Sequence, residues 1–128
     1  MQLMSQEWAI AYTEVWNNDE QVVKKLKKFS STLKYSITDR KDLAPVVIEV
    51  EHGICISFGS PEQYQHIEFE IWADSKSWIE VFKNAKEIKH AMDLDGFDFK
   101  GPKIKAVLNK KGLERSVELL IRMEGVTV

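Results

Sequence analysis

Along the first thirty residues apolar positions return with a helical period. Trp8, Ala11, Tyr12, Val15 and Trp16 share one face of a helix over residues 6–16. Ser5 stands where an N-cap belongs, and Asn17-Asn18-Asp19 breaks the pattern. Asp19 can cap a second helix that turns Val22, Val23, Leu26 and Phe29 inward. Lys24, Lys25, Lys27 and Lys28 then form a solvated face.

From Thr32 the period changes to two. Leu33, Tyr35 and Ile37 alternate with Lys34, Ser36 and Thr38, which predicts a half-buried strand ending at Asp39-Arg40-Lys41-Asp42. Val46, Ile48 and Val50, then Ile54, Ile56 and Phe58, face inward on a hairpin turned by His52-Gly53. A fourth strand over 66–73 carries Ile67, Phe69 and Ile71 on one face and Glu68 and Glu70 on the other.

Asp74 or Ser75 caps a helix with Trp78, Val81, Phe82 and Ala85 on one face, and Ile88, Ala91 and Met92 continue on a short successor. Phe97 and Phe99 mark a last strand, stopped by Gly101-Pro102. Ile104, Val107 and Leu108 predict one helix and Leu113, Val117, Leu120 and Ile121 the final one, separated at Lys110-Lys111-Gly112. Hairpin strands segregated from helices predict an α+β fold with an antiparallel sheet covered mainly on one face.

The 128 residues suit one domain, 1–128. A composition of 44% hydrophobic and 30% charged residues, with a mean hydropathy of -0.30, is that of a globular chain. The net charge of -2 hides an asymmetry: residues 76–128 are mildly basic, residues 30–75 acidic. Lysines interleaved with acids do not make the basic, aromatic face of a nucleic-acid binder, so no nucleic-acid partner is expected. The lone Cys55 excludes an intramolecular disulfide, and its neighbours Ile54 and Ile56 place it in a strand interior. With neither a signal segment nor an apolar run of about 18 residues, a cytoplasmic protein with no integral membrane association is expected.

Little in the sequence points to catalysis. His52, His66 and His90 fall at a turn, a strand entrance and a helix, without metal-ligand spacing, so no metal is expected. No nucleophile elbow, P-loop or dinucleotide fingerprint occurs, so no cofactor is expected. Glu68 with Glu70, and Asp93, Asp95 and Asp98, could supply an acid and a base, yet their positions on a wet face and at a turn favour structural roles. The aromatics are more suggestive. Trp72, Trp78, Phe82, Phe97 and Phe99 crowd into one short region, where they either pack a core or line an apolar cavity.

The run IEFEIWADSKSWIEVFKNAKEI, followed by DGFDFKGPKIKAVLNKKGLERSVELLIRM, resembles the sterol carrier protein-2 family, and SQEWAIAYTEVWNNDEQVVKKL is similar to the leading helices of its free-standing microbial members. The likeness runs over residues 5–124 in element order. It implies a five-stranded antiparallel sheet covered by helices around an apolar tunnel. The implied function is non-catalytic binding and carriage of a lipid: a fatty acid, a fatty acyl-CoA or a sterol-like molecule.

Carried over by position, the resemblance places Trp78 and Phe82 on the helix after the fourth strand. It places Phe97 and Phe99 on the fifth strand, and Ile104, Val107 and Leu108 on the helix flanking the tunnel. With Phe69, Ile71 and Leu120 from the inward faces, these are the candidate ligand-binding residues. The ending Gly125-Val126-Thr127-Val128 is not a peroxisomal tripeptide, so delivery by that route is not expected. Two alternatives stand beside carriage. One is a small enzyme with a cone-shaped α+β fold of the ketosteroid isomerase type, although that fold ends in long strands where this chain predicts helices. The other is an interaction module with a filled core.

Overall fold

A computed structural model describes residues 1–91 and 94–128. Met92, expected on a helix face, and Asp93, weighed as a carboxylate, lie outside the described residues.

Helix α1 (Gln6–Asn17) starts where Ser5 accepts the Trp8 N–H at 3.1 Å. Helix α2 (Glu20–Lys25) starts where Asp19 accepts the Val22 N–H at 2.8 Å. Each cap satisfies a backbone donor that the first helical turn leaves without a partner. The buried face of α1 is Trp8, Ala9, Tyr12 and Trp16, while Val15 is exposed.

Strands β1 (Ser31–Ile37), β2 (Val46–Glu51) and β3 (Ile54–Gly59) form an antiparallel meander. Leu33, Tyr35 and Ile37 are buried as their alternation requires. His52 (φ 49°) and Gly53 (φ 82°) make the β2–β3 turn with two left-handed residues in succession. A Cβ on Gly53 would lie 2.8 Å from the Val23 carbonyl oxygen, so α2 packs on a turn that only glycine fits. The Gly53 carbonyl accepts the Trp16 indole N–H at 2.8 Å, which fixes α1 to the hairpin.

The inner face of β3 differs from the simple alternation. A bulge between Glu49 and Val50 pairs Val50 with Cys55 but Glu49 with Ser57, so Ile56 has no partner and stands exposed. Cys55, not Ile54 or Ile56, points into the core. β3 is an edge strand, and the Asn17 side chain covers it: its Oδ1 accepts the Cys55 N–H at 2.8 Å and its Nδ2 donates to the Cys55 carbonyl at 3.0 Å.

Strand β4 (Phe69–Ala73) lies on the other side of β1 and runs parallel to it, with Leu33 opposite Phe69 and Tyr35 opposite Ile71. The five-stranded sheet has the order β3-β2-β1-β4-β5, where β5 is Asp98–Lys100. It is mixed, not fully antiparallel as expected. The cause is topological: after the hairpin the chain crosses to the far edge of β1 through a 3-10 turn at Pro61–Gln63, and this crossover delivers β4 in the direction of β1. β4 also starts three residues later than the alternation suggests. Thr32 Oγ1 donates to the His66 carbonyl and accepts the Glu68 N–H, both at 2.9 Å, in place of ladder pairing.

Helix α3 (Ser75–Lys83) is capped by Asp74, which accepts the Ser77 N–H at 2.8 Å. Trp78, fully buried, donates its indole N–H to the Ser36 carbonyl at 3.1 Å and so pins α3 to β1. A 3-10 turn at Ala85–Glu87 follows α3, and Ile88 and Ala91, expected on a short successor helix, are not helical.

Helices α4 (Lys103–Leu108) and α5 (Lys110–Ile121) are divided at Asn109, not at Lys110-Lys111-Gly112. Gly112 lies inside α5 and is buried. The chain ends meet, with the Leu3 N–H donating to the Thr127 carbonyl at 2.8 Å and the Thr127 N–H to the Met1 carbonyl at 2.7 Å. Leu3 and Met4 join the core there, ahead of any periodic segment.

Candidate functional site

An apolar cavity of about 230 Å³ lies between the β1–β4–β5 half of the sheet and helices α4 and α5. Its floor follows from strand register. Leu33 and Tyr35 of β1 stand opposite Phe69 and Ile71 of β4, and Ile71 stands opposite Phe99 of β5, so the side chains share the inner face. Ala106 of α4 and Leu113 and Val117 of α5 form the other wall. Lys100, Gly101 and Lys103, all exposed, rim the side nearest α4.

The polar content of the wall is small and mostly engaged. Ser116 Oγ donates to the Leu113 carbonyl at 2.6 Å. Tyr12, behind the wall, donates its hydroxyl to the Ser116 carbonyl at 2.8 Å and lies 3.4 Å from the Tyr35 hydroxyl. Burial pushes both phenols up, so they are neutral hydroxyls at every physiological pH. Lys34 and Glu70 form an ion pair at 3.3 Å. The described residues of the lining include no histidine, cysteine or aspartate.

Of the expected ligand-binding residues, the structure brings Phe69, Ile71 and Phe99 together at this cavity. Trp78, Phe82 and Phe97 gather elsewhere as an aromatic cluster: Trp78 meets Phe97 edge-on at 4.7 Å and stacks with Phe82 at 6.1 Å. Leu120 is fully buried in the core. Ile104, Val107 and Leu108 point to solvent from α4, which turns Ala106 towards the cavity instead. Leu33, Tyr35, Leu113 and Val117 are lining residues that the alternating and helical patterns mark as inward-facing without marking the cavity beside them.

The carboxylates weighed for acid–base chemistry are dispersed. Glu70 is held by Lys34, and Asp95 and Asp98 are exposed. Glu68, expected to face solvent, is instead largely covered and paired with Lys105 at 2.6 Å. No group of three or more His, Cys, Asp or Glu able to hold a metal ion occurs among the described residues. No helix among them is long and apolar enough to cross a membrane.

The arrangement of elements matches solved structures. Sterol carrier protein 2 superimposes with a TM-score of 0.75 at 22% identity, over 94% of this chain and 98% of that one. A conserved hypothetical protein from Thermus thermophilus, offered as a candidate sterol carrier protein, gives 0.67 at 21% identity, over 94% of this chain and 87% of that one. The ubiquinone synthesis protein UbiJ-SCP2 gives 0.52 at 6% identity, over 91% and 89%. No protein-family model and no curated relative matches the chain. The protein has the sterol carrier protein 2 fold, with a mixed five-stranded sheet.

Proposed function

We propose that residues 1–128 act as one non-catalytic lipid-binding unit, which carries a fatty acid, a fatty acyl-CoA or a sterol-like molecule with its apolar part in the cavity between the sheet and α4–α5. The observation that carries this reading is the cavity itself: Leu33, Phe69, Ile71, Phe99, Leu113 and Val117 converge on space that no side chain fills. The space is partly open at its α4 rim, and a mostly apolar cleft with few polar groups is the usual form of a small-ligand site. The likeness to sterol carrier protein 2, to a hypothetical protein offered as a candidate sterol carrier protein, and to a ubiquinone synthesis protein supports the same reading.

A volume of about 230 Å³ is below the roughly 300–1,000 Å³ of sites that enclose a drug-sized ligand. The cavity therefore takes a segment of an alkyl chain, and the rest of the ligand leaves past the α4 rim or widens the space into a tunnel. Each methylene buried contributes about 0.8 kcal/mol. With its wall hydroxyls neutral and engaged, the site offers solvation of a chain and little chemistry to transform one.

The test is native mass spectrometry of the purified protein for retained lipid, followed by titration with a fluorescent fatty acid. Saturable uptake is expected, weakened about tenfold or more by Ala106→Phe, which fills the cavity from α4, a change of ~1.4 kcal/mol. Phe82→Trp, in the aromatic cluster outside the cavity, should leave uptake unchanged. Absence of both retained lipid and saturable binding would rule the reading out.

A further inference from the structure

The outer face of α4 departs from the ordinary placement of apolar side chains. Ile104, Val107 and Leu108 are 78%, 71% and 78% exposed, and they lie one helical turn or less apart on a single surface. Scattered exposed apolar residues are common, but three large ones concentrated on a six-residue helix form a patch. The chain around it is basic: from Phe99 to Leu113 it holds Lys100, Lys103, Lys105, Lys110 and Lys111 and no carboxylate, although Glu70 stands opposite Lys100 across β4 and β5. Lys105 is engaged with Glu68, and Lys110 reaches Glu114 only at 4.0 Å. Lys100, Lys103 and Lys111 are exposed and, among the described residues, within ion-pair distance of no acid.

We infer that α4 is a docking face for an anionic lipid bilayer, with Ile104, Val107 and Leu108 entering the interfacial region and Lys100, Lys103, Lys110 and Lys111 meeting the headgroups. Apolar side chains ringed by lysines are the chemistry by which surface helices bind such membranes. Charge complementarity favours this partner over a second copy of the chain, because two like faces would bring their lysines together. The patch also adjoins the cavity: Lys100 and Lys103 flank it and rim the cavity as well. A bilayer seated on α4 therefore lies at the opening through which a lipid would pass, and in that respect the inference rests on the carrier reading.

Sedimentation of the full chain with vesicles of phosphatidylcholine alone, and of phosphatidylcholine with an equal part of phosphatidylglycerol, tests the face directly. Binding is expected to the anionic vesicles only, and to fall as salt is raised. Lys103→Gln and Lys111→Gln should each weaken it about fivefold. Ile104→Gln/Leu108→Gln should reduce it by an order of magnitude or more; both side chains are solvated, so circular dichroism should show an unchanged fold. Val107→Cys carrying an environment-sensitive fluorophore should shift to the blue on the anionic vesicles.

Failure to bind either vesicle overturns the inference. So does a dimer, seen by light scattering, that Ile104→Gln/Leu108→Gln converts to monomer, since the face then belongs to a second copy. Titration with a fluorescent fatty acid free of vesicles separates the two readings: a chain that takes the fatty acid but ignores anionic vesicles loses the docking face alone. A chain that binds the vesicles but takes no fatty acid keeps the docking face and loses carriage.

Discussion

Lys105 and Glu68 join α4 to the sheet by an ion pair of 2.6 Å, and Lys105 also donates to the Ser30 carbonyl at 2.7 Å. The ammonium lies 5.2 Å from the centre of the Phe29 ring, and the Ser31 hydroxyl donates to the same Glu68 carboxylate. Burial works against ionisation of Glu68, but the hydrogen bonds from Lys105 and Ser31 outweigh it and hold the carboxyl below its ordinary value. This cluster anchors the helix that carries both the Ala106 wall and the exposed apolar face.

Glu68→Gln should loosen α4 without unfolding the sheet. A partly exposed pair is worth about 1 kcal/mol. Hydrogen exchange is expected to quicken for the amides of residues 104–109 and to stay unchanged in α5. Equal acceleration in both helices would mean that Glu68 supports the whole helical layer and not α4 in particular.

The Asp19 carboxylate serves two elements at once. It caps α2 through the Val22 N–H and accepts two hydrogen bonds from Arg115 of α5, at 3.1 and 2.8 Å. Arg115 and the cap hold its pKa below the ordinary carboxylate value, against the effect of burial. A carboxyl depressed in the fold binds its proton more readily when unfolded, so its contribution is complete above about pH 4 and is lost as the pH falls through the depressed value. Asp19→Asn, which can keep the cap and loses the ion pair, should cost ~1 kcal/mol at neutral pH. Asp19→Ala should cost ~2 kcal/mol. In urea titrations the gap between wild type and Asp19→Asn should close on acidification; a gap independent of pH would remove the ion pair from the account.

The caps at Ser5, Asp19 and Asp74 and the inner face of β1 were legible in the sequence because local spacing determines them. Two features of the sheet were not. The parallel seam of β1 and β4 joins residues 36 apart, such as Leu33 and Phe69, and periodicity within either strand says nothing of direction across the seam. The bulge opposite Glu49 and Val50 reverses the facing of residues 54–56 while Phe58 beyond it still packs against the core, and no glycine or proline marks it. For the site, the patterns identified which side chains turn inward at Leu33, Tyr35, Leu113 and Val117. Whether an inward side chain meets a neighbour, as Leu120 does, or empty space depends on how α5 sits over the sheet. On α4 the apolar spacing of Ile104, Val107 and Leu108 was real, but a period identifies a face and not what lies against it.

Cys55 should behave as an inert thiol. Burial pushes its pKa up to about 12, and the backbone on either side of its side chain is held by Asn17. A thiol raised in the fold stabilises fully below its unfolded value of about 8.5 and loses that contribution as the pH rises towards 12. At pH 8, reaction with a thiol reagent should be on the order of 100-fold or more slower than in urea. Asn17→Ala should accelerate it by uncovering the edge of β3; an unchanged rate would show that burial alone protects the sulfur.

Gly112 is the third residue of α5, within the helix, where glycine costs up to about 1 kcal/mol relative to alanine. Its presence there follows from α2: a Cβ at this position would lie 2.3 Å from Leu26 Cδ2 and 2.5 Å from Leu26 Cγ. Leu26 is fully buried, so it cannot swing aside into solvent. Gly112→Ala therefore gains helix propensity and loses more through overpacking, which costs roughly 1–3 kcal/mol. A net loss of about 1 kcal/mol is expected in urea unfolding. Leu26→Ala alone leaves a cavity and should cost ~2–5 kcal/mol. Added to it, Gly112→Ala should become neutral or stabilising, because the space its methyl needs has been vacated and the helical gain is all that remains. Additive losses in the double variant would show that Gly112 is required for a reason other than the approach of Leu26.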